Sequence, residues 1–288
     1  MANDYERDAE SKLGAATGTR LPSSYSSAAQ PLLSQAVVTD AEGLVAGEVM
    51  IATADGEISS YRAMPSGMGP FALILVIQEI FGVHEHIRDV CRRLAKQGYM
   101  AVAPELYARQ GDPSRLDDVK QILNDIVERV PTVQVMADLD AWVSWSVASG
   151  FGDRERLAIT GFCWGGGIVW LYAAHNPQLK AGVAWYGRLE GSRTELQPQQ
   201  AMDVAAHLKV PVLGLYGEKD VGIPLASVQR MQKALDEAAT DARIIIYPDT
   251  PHGFFADYRA SYRPGQAAEA WQEMLAWLRR FGVTAEGA

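Results

Sequence analysis

The segment Gly161-Phe162-Cys163-Trp164-Gly165 holds the side chain best placed for covalent chemistry. It follows the apolar run Leu157-Ala158-Ile159-Thr160 and opens what reads as a helix over 163–175. A nucleophile with glycine two residues before it and two after it fits a sharp strand-to-helix turn. Such a turn crowds its two ends together and lifts the central side chain clear of the backbone. Here that side chain is a thiol, and the positive end of a helix dipole favours thiolate, the form that attacks carbonyl carbon. A glycine-rich turn around an inert, buried cysteine would carry the same five residues; the strand before and the helix after favour the reactive reading. Cys91 is the internal contrast. It shares an apolar stripe with Ile87, Val90 and Leu94, which makes it an expected core thiol.

A thiol used this way needs a base, and the base needs an orienting carboxylate. His252 sits in Pro251-His252-Gly253-Phe254, directly after the last expected strand, Arg243–Tyr247. The carboxylate is expected in the loop after the preceding strand, where Glu218-Lys219-Asp220 offers two. Asp220, closing a Gly-x-x-Asp turn ahead of Gly222 and Pro224, is preferred, with Glu218 as its competitor. The chain order Cys163, Asp220, His252 is the order of nucleophile, acid and histidine in α/β-hydrolases.

On these residues the chain resembles the dienelactone hydrolase family, from about residue 45 to the C-terminus. The resemblance is carried by Gln78-Glu79-Ile80-Phe81-Gly82, Pro104-Glu105-Leu106-Tyr107-Ala108-Arg109, Gly161-Phe162-Cys163-Trp164-Gly165-Gly166 and Pro251-His252-Gly253-Phe254. It implies an α/β-hydrolase fold and cleavage of a small, anionic ester or lactone through an acyl-thioester. It also implies that Glu79 holds the resting thiol and takes its proton, and that Arg109 pairs with a substrate carboxylate, with Phe81 and Tyr107 as further substrate-binding candidates. The backbone N–H groups of Ile80 and Trp164 are the expected oxyanion hole. No metal or organic cofactor is implied. One departure stands out. The family's second substrate arginine falls at Ala256 here, and Arg259 and Arg263 are the candidates to replace it.

Two other readings compete. His84-Glu85-His86 with Asp89 superficially resembles the start of a metal-hydrolase ligand set, but Val90 stands where a further His is needed. A non-catalytic binding protein of the same fold would not need an intact Cys, Asp and His set.

The elements that must position these groups alternate. Val45–Ala52 and Glu57–Ala63 flank Asp55-Gly56 as a hairpin. Phe71–Ile77 reads as a strand buried on both faces, followed by the amphipathic helix around Ile87–Leu94 and a strand at Tyr99–Ala103. Helices are expected over 116–130, 133–149, 225–238 and 266–281, and strands at Ala181–Tyr186 and Val210–Tyr216. This alternation predicts a mostly parallel central sheet with helices on both faces. Residues 1–35, rich in Ser and Ala, form an arm that is expected to be loosely held or to make a dimer contact; residues 36–288 form one domain. The chain has 288 residues, 48% hydrophobic, with a net charge of −9. That charge disfavours nucleic acid and anionic membranes as partners. With two cysteines and neither a signal sequence nor a membrane-length apolar run, the expectation is a soluble, cytoplasmic monomer or homodimer.

Overall fold

The computed structural model describes residues 25–285. Eight strands form one sheet: β1 (Leu44–Thr53), β2 (Gly56–Pro65), β3 (Phe71–Ile77), β4 (Met100–Pro104), β5 (Gly152–Phe162), β6 (Ala181–Trp185), β7 (Val212–Gly217) and β8 (Arg243–Tyr247). Their order across the sheet is β1-β2-β4-β3-β5-β6-β7-β8. The pairings of β2 with β1 and with β4 are antiparallel, and all pairings from β4 to β8 are parallel. This is the α/β-hydrolase fold. Buried on both faces, β3 and β4 carry no charged residue.

Among the described residues six helices connect the strands and a seventh follows the last: α1 (Glu85–Lys96), α2 (Val119–Asp125), α3 (Thr132–Ala148), α4 (Trp164–His175), α5 (Ala201–Val204), α6 (Leu225–Glu237) and, after β8, α7 (Pro264–Arg280). Alternation along β5 shows that α4 and α7 cover opposite faces. Ile159 and Val169 of α4 crowd the same point beside Gly182, whereas the next residue, Thr160, reaches Met274 Sδ of α7 at 3.7 Å.

Three expectations shift. The helix expected over 116–130 is short: Asp118 caps it by accepting from Lys120 N and Gln121 N, and Ile126 (φ −121°, ψ −68°) breaks it before a single 3-10 turn. The hairpin tip is Ala54-Asp55, because Thr53 pairs with Gly56, and this frees Asp55 to reach across to another loop. Strand β5 starts at Gly152 rather than Leu157, through an irregularity where its pairing with β3 skips from Asp153 to Leu157. Of the arm, residues 1–24 lie outside the described residues. From Tyr25 onward it lies against the domain, with Ser26 and Ala29 buried.

No described helix is long and apolar enough to cross a membrane.

Candidate active site

The parallel strands all deliver their following loops to one edge of the sheet, where ligands bind in such folds. Glu79 follows β3, Tyr107 follows β4, Cys163 follows β5, Tyr186 follows β6, Asp220 follows β7 and His252 follows β8.

Steric crowding dictates the turn at Cys163. A Cβ on Gly161 would lie 2.4 Å from Gly165 O, and one on Gly165 would lie 2.5 Å from Gln78 O. Only glycine fits at either position. The residue between them carries the strain, with Cys163 at φ +55°. Its N–H donates to Trp185 O at 3.0 Å, which ties the turn to β6. Trp164 opens α4, so its own N–H has no acceptor within the helix.

The structure brings Cys163, His252 and Asp220 together. Nδ1 of His252 lies 2.6 Å from Asp220 Oδ2, and Cys163 stands close enough to the same imidazole to favour its charged form. The other oxygen, Asp220 Oδ1, accepts from Gly222 N at 2.8 Å and Ile223 N at 2.9 Å, so the carboxylate is fixed at both ends. Burial works against a charged His252, but Cys163 and Asp220 outweigh it and push the imidazole up to about 10. Glu218 faces elsewhere and accepts from Asp249 N.

Glu79 is buried, 1% exposed. Its Oε2 accepts from the Tyr258 hydroxyl at 2.5 Å and lies 3.3 Å from His84 Nε2. Burial opposes its charge; the hydrogen bond from His84 and the field of Arg259 work the other way and hold its carboxyl below the ordinary carboxylate range. Burial keeps His84 below its ordinary value. Since His84 Nδ1 is buried without a partner, the neutral tautomer with its proton on Nε2 fits best; a second proton would be an unmatched donor. In this conformation, then, Glu79 is held by Tyr258 and His84, and Cys163 stands beside His252.

The residues read as a metal-like set are turned to other tasks. His84 caps the start of α1 without a side-chain capping bond, and its ring turns inward to Glu79. His86 Nδ1 faces Asp257 Oδ1 at 3.3 Å, and Asp89 pairs with Arg92 and Arg93. Among the described residues no three His, Cys, Asp or Glu side chains converge as a metal site would require.

Arg109 is placed against expectation. It donates to both oxygens of Asp55, to both oxygens of Asp138 and to Thr53 Oγ1. Asp138 is buried, so this cation is needed where it stands. With two carboxylates around one guanidinium the group is net negative, a poor lure for an anion. The reason was hidden from the sequence: Asp55 arrives from a hairpin 54 residues away and Asp138 from α3.

Arg259 shows the opposite arrangement. Its guanidinium carbon lies 5.6 Å from the Phe81 ring centre, and Nη1 stands 3.6 Å from where a Cβ on Gly253 would sit, beside His252. No described side chain pairs with it. Arg263 instead donates to the Ala260 and Tyr262 carbonyls. Tyr107 packs its ring 4.9 Å from that of Trp164 and is fully buried.

Three neighbours escaped the sequence reading. Tyr186, at φ +37°, sets its ring 5.1 Å from that of His252 and buries a hydroxyl with no partner. A single aromatic residue after a strand carries no signal for this. Tyr258 lies outside every quoted motif, and His84 was visible only as a helix-start or metal-like histidine.

A family model described as "Dienelactone hydrolase family" matches residues 58–282. The protein named "Putative carboxymethylenebutenolidase" in Methylorubrum extorquens is 56% identical over 266 residues, covering 92% of this chain and 91% of its own. Its namesake in Escherichia coli is 51% identical over 265 residues, covering 92% and 97%. The crystal structure of the "Putative Dienelactone Hydrolase" of Klebsiella pneumoniae superposes with a TM-score of 0.81 at 52% identity, over 83% of this chain and 99% of that one. A match this long, joined to this fold, makes the chain a hydrolase that belongs to the dienelactone hydrolase family.

Proposed function

We propose that the protein hydrolyses a small, carboxylate-bearing ester or lactone, with Cys163 as nucleophile, His252 as acid and base, and Asp220 orienting the imidazole. The observation that carries this reading is the aligned set itself: Asp220 Oδ2 lies 2.6 Å from His252 Nδ1, and Cys163 raises the same imidazole from the strained turn at the start of α4. The thiol proton passes to His252. The thiolate attacks the acyl carbon, and the oxyanion is met by the Trp164 and Ile80 N–H groups. The C–O bond breaks as His252 returns the proton to the leaving oxygen. Water then attacks the acyl-thioester with His252 as base, which releases the carboxylic acid and restores the thiol.

Glu79 enters this scheme as a buried counter-charge beside Arg259 rather than as first acceptor of the thiol proton. Its Oε2 is already engaged by Tyr258 and His84 and its carboxyl lies below the ordinary range, so it is a weaker base than the raised imidazole of His252. The substrate carboxylate is assigned to Arg259, the guanidinium that is unpaired among described side chains and beside the His252 loop.

Two results check the scheme. The profile of kcat/KM against pH keeps its alkaline limb near pH 10, because the imidazolium that protonates the leaving group persists up to there. Removing Asp220's charge moves that limb downward. A limb near 6.5 in the unaltered protein would mean that His252 is not paired with thiolate.

The charged and neutral substrates separate the arginines. Arg259→Ala lowers kcat/KM for a carboxylate-bearing lactone by roughly 10- to 150-fold, the equivalent of about 1.5–3 kcal/mol for a charge-assisted hydrogen bond, and spares a neutral aryl ester. Arg109→Ala leaves that ratio alone and lowers stability by about 3 kcal/mol, because it strands the buried Asp138. Equal losses on both substrates with Arg259→Ala would mark the enzyme as a general carboxylesterase.

A further inference from the structure

The loop between His252 and α7 has little regular structure, yet it carries the Tyr258 hydroxyl to Glu79 and the Arg259 guanidinium to Phe81. Its backbone is held from outside. Leu32 N donates to Tyr258 O at 2.6 Å, and Gln35 Nε2 donates to Arg259 O at 2.6 Å. Two consecutive carbonyls are thus occupied by the N-terminal arm. The Tyr25 ring closes the same side, 4.9 Å from the Tyr258 ring and 5.2 Å from that of His84. Both residues touching Glu79 therefore rest against one arm residue.

The arm is itself pinned at two further points. Ser26 Oγ donates to Leu116 O at 2.9 Å, in the loop between β4 and α2. Thr39 N donates to Asp89 at 2.5 Å and Thr39 O accepts from Arg92 Nε at 2.7 Å, both on α1. Between those points Leu32 and Leu33 stay 45% exposed. Apolar burial at Ala29 anchors the arm before this stretch, but Leu32 and Leu33 add little to it, so the bonds to the Tyr258 and Arg259 carbonyls are what hold residues 32–35 against the loop.

We propose that residues 25–39 are a positioning strap for the carboxylate-recognising side of the pocket, with Tyr25 as its positioning residue acting through Tyr258 and Arg259. The proposal rests on Arg259 being the carboxylate receptor, as argued above. None of the strap's residues touches the reacting atoms. It works by restricting the loop, so that Arg259 stands ready before substrate arrives.

The test uses the full chain and the same pair of substrates, a carboxylate-bearing lactone and a neutral aryl ester. A displacement of about 1 Å at such a group lowers rates by up to about 100-fold. Tyr25→Ala accordingly lowers kcat/KM for the charged lactone by about 10- to 100-fold, mainly through KM, and leaves the neutral ester within about twofold. Tyr25→Phe restores the charged substrate, because the ring and not the hydroxyl does the packing. Gln35→Ala, a milder change in an exposed side chain, moves the ratio the same way by less. In the Arg259→Ala background, Tyr25→Ala adds nothing further, since residues acting through one another are not additive. Equal losses on both esters, or losses that add fully to those of Arg259→Ala, overturn the strap and leave the Arg259 reading standing. If Arg259→Ala itself fails to separate the two esters, the underlying reading falls and the strap falls with it.

Discussion

Alkylation with iodoacetamide labels Cys163, leaves Cys91 untouched and abolishes ester hydrolysis in step with the labelling. Cys163 is partly exposed at the start of α4, beside the proposed base His252. Cys91 is fully buried on the inner face of α1, where burial pushes its thiol well above the ordinary value. Reaction requires thiolate and access, and Cys91 has neither. Peptide mass spectrometry at partial inactivation reads the order of labelling. Cys163→Ala lowers kcat by about 10⁶-fold, the scale on which removal of the nucleophile disables a serine triad. Labelling of Cys91 first, with activity falling alongside, would remove Cys163 from the mechanism.

Asp220→Asn lowers kcat by about 10⁴-fold with the fold intact. The asparagine keeps its oxygen on the Gly222 and Ile223 N–H groups and turns its NH₂ toward His252 Nδ1. Nδ1 must then accept, the ring proton moves to Nε2, and the nitrogen facing the thiol loses its role as base. Glu218→Gln stays near the unaltered rate, because Glu218 bonds the Asp249 backbone and not the imidazole. Steady-state kinetics on both variants decides between the two carboxylates. A dead Glu218→Gln beside a near-normal Asp220→Asn would reverse the assignment.

The strands were legible wherever local pattern and burial agree. Phe71–Ile77 is apolar at every position because the strand is covered on both faces, and its bounds emerge unchanged. Where tertiary partners intervene, the local pattern is weaker. The expected helix over 116–130 has suitable composition, but Asp118 caps it late and Ile126 leaves helical geometry early. The four-residue α5 has no periodicity to read and is held by a Gln200–Asp203 capping box.

By itself, the sequence determined the family, the sheet with its alternating helices, and the order of Cys163, Asp220 and His252 along the chain. Each of these rests on short-range features: glycines at fixed offsets, strand-length apolar runs, and loops directly after strands. Only the tertiary structure decided which arginine is free. Arg109 and Arg259 both sit in loops at the pocket edge of the sheet, and nothing local separates them. Asp55 and Asp138, distant in sequence, fold against Arg109 and neutralise it, whereas no described carboxylate forms an ion pair with Arg259, and Glu79 feels its field only from beyond ion-pair distance. The same holds for Glu79, whose charge depends on His84, Tyr258 and complete burial. Charge balance at a site is a sum over neighbours in space, and those neighbours come from segments far apart along the chain.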